Sequence, residues 1–355
     1  MKMGDFQDAK CVLDKLLDEE SRMLFFARMG FHFSRDMEGF IDLVGSMYSN
    51  EPWELYMPDR MKEWVKSRSA DEIVIYGAGQ FGRQDASMLK RWGGWKLRGF
   101  CDNHKYGQII DGLEVYSVKE AVERYSDAIF IIGSKIYHDE MQEDLLSRGL
   151  EEAQILTPPH KYVHAYREVP QYFDFLHPDK MEYFVDAGSY QGETIEDFIK
   201  WTKGRYGGIY AFEPMKDMYR IIRERYENNK KIEIFNYAVW DKKERLPFLN
   251  QDYMAASKFD PKGEEVVQGM DLDSALADKK VTFLKMDIEG SELRALQGAK
   301  RIIRLQKPRL AICIYHKSWD FVDLARQILN IVPDYRFYIR HYASDACETV
   351  LYAVC

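Results

Sequence analysis

The chain has 355 residues, room for two domains each with a sizeable core, and its 46% apolar and 30% charged residues are those of a soluble globular protein. Fifty Lys plus Arg against 58 Asp plus Glu leave a formal charge of −8 without a basic tract, which argues against nucleic acid or an anionic membrane as principal partner. No run reaches the ~18 apolar residues of a membrane span, Met1-Lys2-Met3-Gly4-Asp5 lacks a signal-peptide core, and the cysteines at 11, 101, 313, 347 and 355 form no C-x-x-C pair, so a cytoplasmic protein without disulfides or a zinc cluster is expected. In chain order, residues 5–48 show helical periodicity. Val12, Leu13, Leu16 and Leu17 form one stripe and Met23 to Phe26 with Met29 another. Ser21 is the expected cap of the second helix, and the helices are expected to pack on the following domain or on a partner subunit. Pro52 and Pro58 interrupt the pattern.

From Glu72 strands and helices alternate. Ile73 to Tyr76 reads as a strand, Gly77-Ala78-Gly79-Gln80-Phe81-Gly82 as a turn into a helix through Leu89, and Leu97 to Cys101 as a strand ending in Asp102. That order and spacing are those of a dinucleotide or nucleotide-sugar fingerprint. Ala128 to Gly133 is a further buried strand, Ile136 to Arg148 its helix, and Thr157-Pro158-Pro159 closes the module. With Phe100-Cys101-Asp102-Asn103 and Gly112-Leu113-Glu114-Val115, it resembles the nucleotide-sugar-binding N-terminal domain of bacterial sugar acetyltransferases. The resemblance implies a nucleotide sugar near Gly77, Gly79, Gly82 and Asp102. NAD at the same turn, in an oxidoreductase, and a scaffold that binds nothing are the alternatives.

The stretch that follows contains His160, His164 and His177 but no acid or cysteine to complete a metal site, and reads as a solvated connection. Tyr183-Phe184-Val185-Asp186 then ends an apolar run in an acid. Gly188 and Gly192 follow at a turn, with Thr194 leading into a helix from Ile195 to Trp201. Glu213 ends the next apolar run, where a carboxylate can accept both hydroxyls of a ribose. Because Asp186 precedes the first glycine, the turn repels a pyrophosphate and suits a cationic ligand. The spacing D-x-G-x-x-x-G resembles motif I of class I S-adenosylmethionine (SAM) methyltransferases.

Met215 to Tyr226 reads as a helix, Ile232 to Trp240 as a third strand and its exit, and Lys242 to Gly269 as a flexible stretch over the pocket or a small β insertion. Val281 to Met286 is a strand, joined by Asp287-Ile288-Glu289-Gly290-Ser291-Glu292 to a helix from Leu293 to Arg304. From Lys285 to Ala299, K-x-D-x-E-G-x-E-x-x-x-L-x-G-A resembles nearly residue for residue the hallmark of the FkbM family of SAM-dependent methyltransferases. A strand from Leu310 to Tyr315 ending in His316, and Arg340-His341-Tyr342 with Glu348 to Tyr352, support it over residues 180–355. The resemblance implies SAM as cofactor and O-methylation of sugars, polyketides and related natural products.

The expected fold is α/β, with two Rossmann-like domains. A helical segment (1–70) precedes a small nucleotide-binding-like module (71–157), a linker (158–179) and a class I methyltransferase sheet (180–355). Asp186, Gly188, Gly192, Thr194, Glu213, Asp287 and Glu289 are the expected SAM contacts. All stand at strand ends or the turns just after them, where ligands of parallel sheets lie. His316 is favoured as catalytic base and Asp287 as the group that contacts SAM or orients the acceptor. The rival assignment makes Asp287, Glu289 and His316 ligands of a divalent metal. Glu292 is accounted for by the helix macrodipole, Asp273 by capping a helix from Ser274, and His341 by packing. The acceptor is expected to be a small molecule or glycan, with a homo-oligomer left open; a SAM sensor without turnover is the non-enzymatic alternative.

Overall fold

Strands that are mostly apolar on both faces have to be covered on both, and the chain builds two sheets of this kind. The computed structural model describes residues 3–48, 72–92, 95–134, 137–156, 170–179, 181–249, 258–343 and 346–355. Contacts divide it into two units, Met1–Phe40 with Val169–Cys355, and Ile41–Glu168.

In the Ile41–Glu168 unit the sheet runs Ile109–Ile110, Leu113–Tyr116, Lys96–Cys101, Glu72–Tyr76, Ile129–Ile132, Ile155–Leu156. All neighbours are parallel except the first hairpin. Ile73, Ile75, Ile129 and Ile131 pack with Ala86 and Leu89 of the Gln80–Trp92 helix. Val74, Tyr76, Phe130 and Ile132 face the other way, onto Val118, Ala121 and Leu145. An added Cβ at Gly82 would lie 1.8 Å from the Gly77 carbonyl oxygen, so this glycine serves the close approach of helix and strand. No described atom lies within 4 Å of the corresponding point at Gly79.

The other unit holds a seven-stranded sheet in the order Arg336–His341, Thr349–Val354, Arg309–Cys313, Phe283–Met286, Glu182–Ala187, Tyr206–Phe212, Ile232–Phe235. The last five are mutually parallel and the first two antiparallel. Chain order reverses between Glu182–Ala187 and Phe283–Met286, which opens a crevice at their carboxyl ends. The expected single strand from Ile232 stops at Phe235; Ala238–Val239 instead joins a separate sheet with Glu265–Met270, Glu244–Leu249 and Lys258–Phe259. This is the β insertion. The helix expected over Leu293 to Arg304 is split at Gly298-Ala299 into Glu292–Gln297 and Lys300–Gln306.

The first helices belong to the unit of the C-terminal half. Their buried stripe, Val12, Leu16, Leu24 and Phe25, is covered by the C-terminal half, with Phe25 edge-on to Phe321 at 5.1 Å. Leu17 N–H donates to the Phe337 carbonyl at 2.9 Å, so the turn covers the outer sheet strand. Asp18, not Ser21, caps the Glu19–Ser34 helix, and it pairs with Arg340 at 2.6 Å. The segment expected as a solvated connection also departs from expectation: within 170–179, Tyr172 and Phe173 are buried, and Phe173 sits among Phe184, Phe198 and Phe283. Aromatic side chains there find an apolar layer to fill, and that outweighs the polar residues between them.

Candidate active site

Ala187 pairs with Phe212 on one side and with Met286 on the other, so Gly188, Glu213 and Asp287 follow three adjacent strand ends. Gly188 has φ +83, and a Cβ there would lie 1.9 Å from the Asp287 carbonyl oxygen. Only glycine allows the two turns to touch. Glu213 is buried and braces the first turn: Oε2 accepts Tyr190 N–H at 2.9 Å and Oε1 accepts Met215 N–H at 2.8 Å. Burial pushes its carboxyl up to about 7 against the pull of those two donors. Gly192 caps the Glu193–Trp201 helix at φ 90, with half-buried Thr194 in the first turn.

Asp186 lies one layer deeper, fully buried, with Lys285 Nζ at 3.0 Å from Oδ1. The same ammonium donates to the Gly188 carbonyl at 2.6 Å. Burial opposes the charge on Lys285, but Asp186 and Asp287 outweigh it and raise its pKa. Lys285 had no assigned role in the sequence reading. The signal was there: a lysine inside an otherwise apolar strand has to have a buried partner.

Asp287 stands between this pair and His316. Its Oδ2 accepts the Tyr172 hydroxyl at 2.9 Å and its Oδ1 the Tyr315 hydroxyl at 3.3 Å. His316 Nε2 is 3.4 Å from Asp287 Oδ1 and 3.7 Å from Glu289 Oε2, while Nδ1 is 3.1 Å from Glu292 Oε1. Burial disfavours the charged ring, but Glu292, Asp287 and Glu289 prevail and push its pKa up to about 10. At neutral pH His316 therefore keeps its proton, which is at odds with the expected role of base. Glu292 does more than face a macrodipole: buried, it also accepts Ile288 N–H at 3.0 Å and so holds the turn that carries Glu289.

A cavity of about 740 Å³ begins at His316 and Glu289. Trp240, Leu246 and Phe259 from the β insertion form its apolar wall, and Arg245, Arg294 and Lys317 supply positive charge. Residues 250–257 of that insertion lie outside the described residues.

Other expected site residues are placed elsewhere. Asp102 spans its own turn, with Oδ2 accepting Ala78 N–H at 2.9 Å and Oδ1 accepting His104 and Lys105 N–H at 2.8 and 3.0 Å. Asp271 caps the Leu272–Ala275 helix, whereas Asp273 accepts Arg301 and Ile302 N–H at the start of another helix. His341 is fully buried against Thr349, 2.7 Å from Nδ1. His177 is exposed, and His160 and His164 lie outside the described residues.

Residues 186–342 match the family model described as Methyltransferase FkbM domain. No curated protein matches the chain. Among solved structures, a methyltransferase FkbM from Methylobacillus flagellatus KT is 20% identical over 94% of this chain and 99% of that one, with a TM-score of 0.50, a likeness of fold. An rRNA methylase from Streptococcus thermophilus (14% identity, 49% of this chain, 86% of that one, TM-score 0.31) and a SAM-dependent methyltransferase from Aquifex aeolicus (14%, 50%, 83%, 0.30) are also similar.

Proposed function

We propose that the FkbM methyltransferase domain at residues 186–342 moves a methyl group from SAM to a hydroxyl of a sugar, glycan or related metabolite. The observation that carries this reading is the contact of the Gly188 and Asp287 turns, with the cavity opening at His316 beyond Asp287. A ligand on the first turn and one in the cavity are thereby neighbours. Glu213, Asp287 and Glu289 stand at this edge, with Asp186 buried beneath them and offset by Lys285, which suits a ligand carrying a sulfonium and an ammonium. Glu213 keeps a lone pair on each oxygen for ribose hydroxyls.

Bound there, SAM supplies an electrophilic methyl carbon for in-line displacement by the acceptor oxygen. Trp240, Leu246 and Phe259 hold the acceptor and exclude water, and orientation of this kind is worth about 7–11 kcal/mol of barrier at best. With no ion on Asp287 and Glu289, one of the two carboxylates takes the hydroxyl proton, because His316 already carries one. An apolar wall with a charged rim supports a carbohydrate acceptor. In the Ile41–Glu168 unit, the glycine turn from Gly77 to Gly82 supports a role in holding a nucleotide or nucleotide sugar.

Calorimetry with SAM is expected to give one site per chain, lost in Glu213→Ala; a folded wild type that takes up no SAM ends the reading. Labelled SAM screened against sugars, nucleotide sugars and glycans yields a methylated product from an enzyme and none from a sensor.

A further inference from the structure

We infer that Asp287, Glu289 and His316 form a divalent-cation site at the inner end of the cavity, where the ion presents its remaining positions to oxygen atoms of the acceptor. The second half rests on the methyl-transfer reading; the first does not.

Each of the three residues offers one donor atom, and the three atoms lie within 4.8 Å of one another. From His316 Nε2 the two carboxylate oxygens are 3.4 and 3.7 Å away. Two donors at ~2.1 Å from one ion stand ~3.0 Å apart at a right angle and ~3.4 Å apart at the tetrahedral angle, so each carboxylate needs to approach the ring nitrogen by only a few tenths of an ångström. His316 Nε2 is buried in a side chain only 8% exposed, completes no hydrogen bond among the described residues, and is aimed between the carboxylates. Without an ion this nitrogen carries the second proton of the imidazolium; the ion takes the place of that proton between the two carboxylates, so uptake releases one proton.

The surroundings are those of a held ligand set. Glu292, only 1% exposed, places Oε1 3.1 Å from Nδ1, which fixes the ring and leaves Nε2 for the ion. Tyr172 and Tyr315 steady Asp287. Glu289 takes the left-handed conformation at φ 54 and Gly290 follows at φ 89, a costly backbone for a residue other than glycine. That turn brings the Glu289 carboxylate to His316. Asp287, Glu289 and Glu292 together bring three negative charges to one imidazole, and a doubly charged ion reduces that excess to one. Lys317 bonds to the Gly290 carbonyl, outside the donor triangle. One imidazole with two carboxylates suits a first-row ion such as Mn²⁺ better than Ca²⁺, which takes oxygen ligands alone. Because Glu289 and His316 also line the cavity, the open positions face it.

The test is a Mn²⁺ titration of the full chain followed by electron paramagnetic resonance, run beside SAM calorimetry without metal. The expected result is one ion per chain, displaced by Mg²⁺ in excess. Half-exposed Glu289→Gln should weaken it at least ~10-fold, as should Asp287→Asn, and Glu292→Gln should weaken it by about 10- to 100-fold. A wild type that binds SAM but no Mn²⁺, or one whose Mn²⁺ affinity is unchanged in Glu289→Gln and Asp287→Asn, overturns the site and leaves the methyl-transfer reading standing. Mn²⁺ uptake that depends on these residues, without SAM binding, keeps the site and overturns that reading.

Discussion

Replacing Glu213 by Gln tests the electrostatics of the crevice directly, since the side chain keeps its shape and loses its charge. Burial moves the carboxyl from an ordinary 4.5 up to about 7, opposed by the N–H groups of Met215 and Tyr190. A carboxyl whose folded pKa is raised contributes stability that is present below its unfolded pKa and lost as pH rises through the folded one. With those two values, the wild type loses about 2.5 kcal/mol from this group between about pH 5 and about pH 8.5. The Glu213→Gln chain does not titrate there. It does give up one of the two backbone hydrogen bonds, because an amide NH₂ cannot accept, at a cost of about 1–3 kcal/mol at any pH. The variant is therefore expected to be the less stable chain in acid, with the gap narrowing or reversing in alkali. Urea unfolding of both chains at the two pH values, without SAM, measures this. A gap that stays constant, or widens toward alkaline pH, refutes the assignment of a buried, destabilised carboxylate. On the proposed reading the ribose hydroxyls of SAM favour the ionised form, so its binding should tighten as pH rises through 7.

Lys285→Met leaves Asp186 buried without its counter-charge and should destabilise the chain by about 3–5 kcal/mol, seen in thermal unfolding, with most of it restored by adding Asp186→Asn. Gly188→Ala puts a methyl group 1.9 Å from the Asp287 oxygen, so the two turns must part; calorimetry should show SAM affinity lowered at least ~10-fold. Phe259→Ala removes part of the cavity wall and should raise KM for the acceptor while leaving SAM affinity unchanged, a split read by steady-state kinetics.

The parts of the site that a short stretch of chain defines were readable from residue order. An apolar run, an acid and a glycine are enough to mark Asp186, Gly188, Glu213 and Asp287 as strand-end positions, and the sheet brings them together. What the order of residues does not carry is the partner. Lys285 was visible as a charge in an apolar strand, but its pairing with Asp186 depends on strand register. Glu292 looked like a helix-start acid because His316, which it holds, belongs to another strand end. Tyr172 fell in a segment read as solvated, although its hydroxyl steadies Asp287. The module fingerprint correctly marked a turn and an acid, yet spacing alone does not say whether Asp102 faces a ligand or braces its own loop. An amphipathic stripe likewise tells that a helix face is covered and not by what: the following domain or a partner subunit was expected, and the C-terminal half covers it.

That last pairing bears on how the molecule comes to be built. Asp18 and Ser21 bond to Arg340 and Ile339, with 322 and 318 positions between the paired residues. On the ribosome, the opening helices emerge with their apolar stripe uncovered and wait until nearly the whole polypeptide has been synthesised. The Ile41–Glu168 unit, which has a sheet and core of its own, emerges in the interval. Closure of the C-terminal half is then a late, long-range event, and a truncated product ending before Arg336 would leave both the helices and the sheet border exposed to aggregation.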